Sequence, residues 1–268
     1  MDPTSSAPGP RLRREPPRFR SVAVLGTADL GPRLRRVTLA GTGLIGFPVP
    51  LPAASVRLLV PSPGTDELVI PAWTGNEFLL PDGSRPALRT FTPRRVDPGE
   101  GELAIDVVLH GGGVASEWAR MVEPGAAAAI SGPGRGYAID ADAPAFLLVG
   151  DETALPAIAQ LLEVLPARTT VHVHVEVASP DGRSPLPSHV GSTVTWHDLA
   201  DPGDPGAAMV AAVRDQPIPD GARIWVAGEA ASVQRIRKFL FEECAIPRAQ
   251  CTVRGYWKRG RSGDDSEE

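Results

Sequence analysis

The pattern of apolar residues changes near residue 140, and this change constrains the fold more than any other feature of the sequence. Before it, short β-like runs are separated by glycine and proline, at 19–25, 35–40, 55–60, 67–70, 87–94, 102–110 and 126–131. One helix is predicted among them, at 115–122. Many short strands punctuated by turn residues are typical of an antiparallel barrel or sandwich.

After residue 140, strands alternate with helices. The run 145–149 is continuously apolar, as in a strand that is buried on both faces, and it ends at Gly150. The next segment, 153–165, carries leucine and isoleucine at helical spacing and has Pro156 in its first turn, where proline is tolerated. Further strands are predicted at 170–178, 193–197, 223–227 and 250–255, and further helices at 206–215 and 230–244. This alternation predicts a parallel α/β sheet.

The sequence therefore predicts two domains, an antiparallel β-barrel at 18–138 and an α/β domain with a parallel sheet at 139–260. A chain of 268 residues is long enough for both. The segments 1–17 and 261–268 are interpreted as disordered tails because they are rich in Pro, Ser and charged residues. The glycine-rich segment 132–136 is interpreted as the connection between the domains.

Charge and hydropathy argue against two classes of protein. The net charge is −5, from 27 basic and 32 acidic residues, which is unfavourable for a general nucleic-acid-binding protein. No apolar run is long enough to span a membrane, and the N-terminus lacks the apolar core of a secretory signal. We therefore expect a cytoplasmic protein without a nucleic-acid partner or a membrane span.

The segment Arg-Thr-Phe-Thr-Pro-Arg at 89–94 is a poor core strand and a good ligand-binding strand. In one extended strand alternate residues share a face, so Arg89, Phe91 and Pro93 would lie on one face and the other three residues on the opposite face. A guanidinium can bind a phosphate through two parallel hydrogen bonds, an aromatic ring can stack on a planar heterocycle, and a hydroxyl can bond a ring nitrogen. These groups suit a nucleotide cofactor such as a flavin. An exposed, arginine-rich hairpin edge is the alternative.

A second ligand-binding feature is the triple glycine 111–113, which precedes the predicted helix 115–122. Such a turn presents backbone N–H groups at the positive end of the helix dipole, where they have no intrahelical partners and can bind an anion. Ser116 could add a hydroxyl donor, and His110 could contact a cofactor or bond a neighbouring carbonyl. A turn that needs glycine only for tight bending is the alternative. Beside the arginines of 89–94, we favour a phosphate site.

The turn after the first α/β strand, Gly-Asp-Glu-Thr at 150–153, lacks the G-x-G-x-x-G fingerprint of dinucleotide-binding folds. Its two acids favour the helix dipole but would repel a pyrophosphate. A dinucleotide would therefore contact Gly150, Thr153 or the backbone. Gly228 also ends a predicted strand, at the edge where such sheets bind ligands.

Three residues that could ligate a metal, His172, His174 and Glu176, alternate along one predicted strand and would share a face. A metal site is geometrically conceivable there. We favour a structural role, because residues two apart on a strand are widely spaced for one metal and no further His or Cys cluster completes the ligand set.

The order of several motifs resembles the siderophore-interacting protein family. These motifs are Arg-Thr-Phe-Thr-Pro-Arg at 89–94, Asp-Val-Val-Leu-His-Gly-Gly at 106–112, Gly-Asp-Glu-Thr-Ala-Leu-Pro-Ala at 150–157, Ala-Gly-Glu-Ala at 227–230 and Gly-Tyr-Trp-Lys at 255–258. The family belongs to the ferredoxin-NADP reductase-like proteins, with an FAD-binding, antiparallel Greek-key barrel followed by an NAD(P)-binding α/β domain. The resemblance implies a reductase that passes electrons from NADPH, NADH or ferredoxin through FAD to a ferric siderophore.

The resemblance also implies the residues of the site. FAD would be held by residues of the barrel domain, namely Arg89, Thr90, Phe91, Thr92, Arg94, Asp106, His110, Gly112, Gly113, Ala115 and Ser116. The nicotinamide cofactor would face residues of the α/β domain, namely Gly150, Asp151, Thr153, Gly228 and Glu229. Trp257 would lie near the flavin, and Lys258 and Arg259 would bind the anionic ferric chelate.

Three alternatives stay open at this point: a general flavin reductase, a ferredoxin-linked electron carrier, and a siderophore-binding protein without turnover. The preference between NADH and NADPH is open too, because Ser-Pro-Asp-Gly-Arg at 179–183 offers both an acid and an arginine for the ribose. The family usually has tyrosine where this chain has Phe91. That change keeps ring stacking and removes a hydroxyl hydrogen bond worth about 0.5–1.5 kcal/mol.

Overall fold

The computed structural model describes residues 18–260, so the predicted tails 1–17 and 261–268 lie outside the described residues. The predicted fold class is confirmed. A seven-stranded antiparallel sheet comes first in the chain, and a five-stranded parallel sheet with helices follows it. Between residues 18 and 260, no helix is both long enough and apolar enough to cross a membrane.

The first sheet contains seven of the nine strands that the structure describes between residues 18 and 131. In chain order the nine are β1 (Arg20–Gly31), β2 (Leu34–Ala40), β3 (Val56–Leu59), β4 (Ala72–Trp73), β5 (Phe78–Leu79), β6 (Leu88–Phe91), β7 (Pro93–Asp97), β8 (Glu102–Val108) and β9 (Ala127–Ser131). The sheet order is β6-β3-β9-β1-β2-β8-β7, and β4 and β5 pair separately. Its two edge strands, β6 and β7, are separated in the chain by Thr92 alone. The sheet therefore curls, because its two opposite edges must lie next to each other. Buried aliphatic residues such as Leu39, Ile105 and Ile130 form the core that it encloses.

Two strand predictions in this region are wrong. The segment 67–70 is irregular and pairs with no described strand. Its apolar residues Val69 and Ile70 are exposed, so they do not face a core. The segment 87–94 is not one strand but two, which separate at Thr92. β6 pairs with β3 and β7 with β8, so the six residues do not form one ligand-binding strand with two alternating faces. Pro93, which has no N–H group to donate, begins the second strand.

The parallel sheet has the order β12-β11-β10-β13-β14. Its strands are β10 (Ala145–Asp151), β11 (Thr170–Val177), β12 (Ser192–Asp198), β13 (Arg223–Glu229) and β14 (Cys251–Trp257). The α-helices of the described residues are α1 (Val114–Met121) in the barrel domain and α2 (Leu155–Val164), α3 (Ala207–Asp215) and α4 (Ala230–Lys238) around the parallel sheet. A π-helical turn, Phe239–Glu243, continues α4 where one long helix was predicted.

The packing explains why both faces of the parallel sheet are apolar. On one face α2 buries Leu155, Ile158 and Leu162 against β10 and β11. On the other face α3 and α4 pack on Leu147 and Val149, which alternate with the residues under α2. The chain moves from β10 outward to β12 and then returns to β13 on the opposite side of β10. The carboxyl ends of β10 and β13 therefore form a topological switch point, where sheets of this kind bind ligands.

Polar contacts join the two domains. The Arg33 guanidinium, from the turn between β1 and β2, donates to the carboxylate of Glu152 at 2.8 and 2.9 Å. Gln160 on α2 bridges two segments of the barrel domain, because its Oε1 accepts from the Ala53 N–H at 2.9 Å and its Nε2 donates to the Pro93 carbonyl at 2.5 Å. These contacts hold α2 against the curled sheet.

A histidine pair lies where α3 covers the outer part of the parallel sheet. His174 Nδ1 and His197 Nε2 are 3.1 Å apart, and Gln216 Oε1 lies 3.3 Å from His174 Nε2. The pKa of His174 is below its ordinary value, first because burial disfavours the charged ring and then because His197 and His172 lie near; the bond to Gln216 opposes the shift. His174 is therefore held as a neutral ring.

We expect the stability of the fold to decrease as the pH falls from about 7.5 to about 5.5. A histidine whose pKa is lowered by folding binds fewer protons than it does in the unfolded chain, so its contribution is complete above the unfolded pKa of about 6.5 and is lost below it. The melting temperature should therefore decrease between about pH 7.5 and about pH 5.5, and His174→Gln should show a smaller decrease. Equal decreases in the two proteins would contradict this role of His174.

Candidate flavin and electron-donor site

The glycine-rich loop of the barrel domain leads into α1 as predicted. Gly112 and Gly113 have φ angles of 80° and 109°, in the region that favours glycine. The Ser116 hydroxyl holds the loop closed, because it accepts from the His110 N–H and donates to the His110 carbonyl, both at 3.0 Å. Ala115 and Ser116 are buried under the loop, whereas the glycines are exposed.

The N-terminus of α1 fits the diphosphate of FAD. No side chain of the described residues caps it. A Cβ added at Gly111 or Gly112 would meet no other atom within 4 Å, whereas one added at Gly113 would lie 2.9 Å from the His110 ring, so the open space lies beside the first two glycines. Unpaired N–H groups at a helix N-terminus with room in front of them can bind a phosphate.

The first half of the motif at 89–94 lies on the edge strand β6. Phe91 is half-buried and packs against the barrel core, and Thr90 is exposed. Arg89 donates to the Leu88 carbonyl at 2.7 Å. This edge therefore presents a ring and a guanidinium as the motif predicts, but only over β6.

The second half of the motif turns toward the α/β domain. Thr92 is buried, and its side chain lies beside the phenol of Tyr256 on β14. Arg94 forms an ion pair with Glu163 on α2, at 2.5 and 3.0 Å. Both side chains thus lie at the contact between the domains, and their predicted contacts with FAD stay a prediction.

Asp106 on β8 is paired within the barrel. Its carboxylate accepts two hydrogen bonds from Arg36 on β2, at 2.7 and 2.8 Å, and its side chain is 5% exposed. The bidentate pair fixes the orientation of both groups. A cofactor could reach Arg36, whose side chain is 34% exposed, more readily than Asp106.

The switch point of the parallel sheet is organised around the Asp151 carboxylate. Oδ1 accepts from the Thr153 N–H at 2.9 Å and from the Thr153 hydroxyl at 2.5 Å. Oδ2 accepts from the Glu229 N–H at 3.0 Å and from the Trp257 indole N–H at 2.7 Å. The structure therefore brings together the predicted residues at the ends of β10, β13 and β14 in one hydrogen-bonded cluster around a buried carboxylate.

Burial raises the pKa of Asp151, and the hydrogen bonds from Thr153, Trp257 and Glu229 oppose that rise. All four groups around the carboxylate are donors, so they match its ionised form. Gly228 is required beside it, because a Cβ there would lie 2.6 Å from Asp151 Oδ2. Gly150 is similarly close-packed, with Ala154 and Ala227 next to it.

Trp257, Lys258 and Arg259 follow one another at the carboxyl end of β14, and all three are exposed. The backbone N–H of Arg259 donates to the Glu229 carboxylate at 3.3 Å, and its guanidinium donates to the Gly203 carbonyl. An indole and two cations thus stand at the opening of the switch point.

Sequence reasoning did not assign a role to Tyr256, Arg33 or Gln160, which tie the two domains together. Tyr256 lies inside the Gly-Tyr-Trp-Lys motif, and that motif was the signal that could have identified it. Arg33 and Gln160 belong to no motif, and no local pattern marks them.

The metal-binding alternative at His172, His174 and Glu176 finds no support in residues 18–260, where no group of three or more His, Cys, Asp or Glu residues could hold a metal ion. Glu176 instead accepts from the N–H groups of Gly206 and Ala208 at the start of α3.

Known proteins are similar to this chain over both of its domains. The model of the siderophore-interacting FAD-binding domain matches residues 23–137, and that of the siderophore-interacting protein family matches residues 143–260. The chain is 31% identical over 239 residues to the ferric vibriobactin reductase ViuB of Vibrio cholerae, with 88% of each chain covered.

Two solved structures are also similar to the chain. A siderophore utilization protein from T. fusca is 32% identical, with a TM-score of 0.82 over 95% of this chain and 98% of that chain. The siderophore-interacting protein SipS from Aeromonas hydrophila is 32% identical, with a TM-score of 0.78 over 92% of this chain and 94% of that chain. Because these matches extend over both domains, the chain belongs to the siderophore-interacting protein family.

Proposed function

We propose that this protein is a flavin-dependent ferric-siderophore reductase, which passes electrons from NADPH or NADH through FAD to the chelated iron. One structural observation carries the proposal: the barrel domain offers an uncapped helix N-terminus with open space beside Gly111 and Gly112, where a diphosphate can bind. The matching FAD-binding family model and the ferric vibriobactin reductase relative support it.

The barrel residues would hold and orient the cofactor. The N–H groups at the start of α1 would bind the diphosphate, together with Arg89, whose charge complements a phosphate. Phe91 would stack on the isoalloxazine. When bound, FAD supplies a group that accepts a hydride and releases single electrons, so the protein contributes binding, orientation and electrostatics.

The exposed end of β14 would bind the substrate. Lys258 and Arg259 carry the positive charges that attract an anionic ferric chelate, and Trp257 offers it a flat apolar surface. Electron transfer to iron needs no general acid or base. Iron would then leave the chelator, because hard oxygen ligands hold Fe(II) less tightly than Fe(III).

We extend the proposal to the domain division and the location. The FAD-binding domain would comprise residues 18–138 and the electron-donor domain residues 139–260, in a cytoplasmic protein that releases Fe(II) for intracellular use. Ferredoxin is the alternative electron donor, and a general flavin reductase or a non-catalytic siderophore-binding protein is the alternative function.

An anaerobic spectral titration tests the proposal. We expect the purified protein to take up FAD, to lose its flavin absorbance on addition of NADH or NADPH, and to regain it when a ferric siderophore is added, with Fe(II) trapped by a ferrous chelator. A protein that takes up no FAD would not be a flavoprotein. Bleaching without Fe(II) release would favour the general flavin reductase, and bleaching by reduced ferredoxin alone would favour that donor.

A further inference from the structure

Protein carboxylates already occupy the helix N-termini at the switch point of the parallel sheet. At the turn before α2, Asp151 Oδ1 accepts from the Thr153 N–H at 2.9 Å. At the start of α4, Glu229 Oε2 accepts from the Ser232 N–H at 2.9 Å. Asp151 and Glu229 are 8% and 3% exposed. A dinucleotide pyrophosphate ordinarily sits at such a helix N-terminus.

The third helix N-terminus at this edge is capped in the same way. Glu176 at the end of β11 accepts from the N–H groups of Gly206 at 2.5 Å and Ala208 at 2.9 Å, which begin α3. Glu176 is 4% exposed. Each helix that begins at the carboxyl edge of the sheet is thus supplied with a negative charge from the protein.

Further groups beside these helix starts are also engaged, and the exposed cations Lys258 and Arg259 stand at the opening that we assign to the ferric chelate. The Glu229 N–H donates to Asp151 Oδ2 at 3.0 Å. The Glu152 carboxylate accepts from the Ala178 N–H at 2.9 Å and from the Arg33 guanidinium of the barrel domain at 2.8 Å. A pyrophosphate would have to displace a buried carboxylate and then lie beside the others, which repel it.

The barrel domain provides the contrast. Of the four described α-helices, α1 and α2 have no side-chain cap at their own N-termini, but α2 directly follows the turn Glu152–Ala154, whose start Asp151 caps. Before α1, a Cβ added at Gly111 or Gly112 would meet no other atom within 4 Å. The structure therefore offers one helix N-terminus to a diphosphate, at the proposed FAD site.

A flat ring can still dock at the switch point. Trp257 is 38% exposed, and its indole is held in place by the bond to Asp151 at 2.7 Å. A nicotinamide ring that approaches the flavin needs a flat apolar wall and no phosphate site.

We infer that the α/β domain recognises its electron donor by the nicotinamide mononucleotide half, and that the adenylate half contributes little to binding. The inference rests on the proposed function, because it takes a reduced nicotinamide as the donor. Overall, one reduced nicotinamide and two ferric chelates give one oxidised nicotinamide, two ferrous ions, two free chelators and one proton. Bound FAD would supply the group that takes up the hydride and passes on the two electrons, with no net change of its own.

The test compares three donors with the FAD-loaded protein under anaerobic conditions. NADH, NADPH and reduced nicotinamide mononucleotide are mixed with it in turn, and the second-order rate constant of flavin bleaching is measured. We expect the three rate constants to agree within about tenfold, which corresponds to about 1.4 kcal/mol. A preference of more than about tenfold for either dinucleotide over the mononucleotide would overturn the inference.

Two amide variants refine the test. Glu229→Gln removes one charge at the switch point while the amide oxygen can still accept from Ser232, so it should raise the rate with NADH relative to the mononucleotide by several-fold. Glu243→Gln is the matched control, because it removes an exposed carboxylate that pairs with Arg214 beyond the far end of α4, and it should leave this ratio unchanged. Equal changes in both variants would overturn the inference. FAD uptake and circular dichroism confirm that each variant is folded.

Failure of the proposed function gives a different result. If none of the three donors bleaches the flavin, the inference is overturned. Chemical reduction of the same sample with dithionite, followed by a ferric siderophore, then shows whether the protein reduces iron at all. Reoxidation with Fe(II) release would keep the reductase and remove the nicotinamide donor, whereas no reoxidation would remove the reductase as well.

Discussion

Replacement of Asp151 by alanine should lower the free energy of unfolding by about 2–4 kcal/mol. The change leaves four buried donors without their acceptor. They are the N–H and hydroxyl groups of Thr153, the N–H of Glu229 and the indole N–H of Trp257. Each buried donor without a partner costs about 1 kcal/mol or more, and the recovered desolvation energy of the carboxylate offsets part of the sum. Urea unfolding followed by circular dichroism measures the change.

Asp198→Ala is the matched control for this measurement. Asp198 also ends a strand of the parallel sheet, but its side chain is 49% exposed and pairs with Arg183 at 2.7 Å. An exposed ion pair contributes about 0–1 kcal/mol. If the two variants were destabilised equally, Asp151 would not organise the switch point as the structure indicates.

The second large effect is expected on cofactor binding. Arg89→Ala should weaken FAD binding by about 10- to 100-fold, because a charge-assisted hydrogen bond to a phosphate contributes about 1.5–3 kcal/mol. Fluorescence titration of the apoprotein with FAD measures the dissociation constant. Unchanged FAD binding would mean that the cofactor does not lie along β6.

Arg94 needs a separate design because it pairs with Glu163 on α2, at 2.5 and 3.0 Å. Arg94→Ala removes the cation, whereas Glu163→Gln breaks the same ion pair and keeps the cation. If Arg94 binds FAD, only the arginine variant should weaken FAD binding. If both variants weaken it equally, Arg94 acts through the contact between the domains.

The fold could be predicted from the sequence because burial leaves a periodic signal. The run 145–149 is apolar throughout, since α2 covers one face of β10 and α3 with α4 cover the other. The failed strand at 67–70 shows the limit of the same reasoning. Its apolar residues form a strand-like pattern, but a strand also needs a partner strand. The local sequence does not show which distant segments pair.

The candidate site was predicted less completely, for a related reason. The residues around Asp151 lie in recognisable motifs, so they could be found separately, but their convergence depends on the parallel order of β10, β13 and β14. The Arg33–Glu152 pair joins residues 119 positions apart. No spacing rule identifies such a pair in a sequence that contains many arginines. The division of 89–94 into two strands likewise follows from pairing with β3 and β8.

The contact between Thr92 and Tyr256 has a consequence for the two aromatic residues beside it. Phe91 precedes Thr92 and Trp257 follows Tyr256, so each aromatic residue is one position away from the same contact between the domains. Replacement of Tyr256 would therefore act on both aromatic residues through the main chain, one in each domain, although Tyr256 itself is not among the predicted cofactor-binding residues.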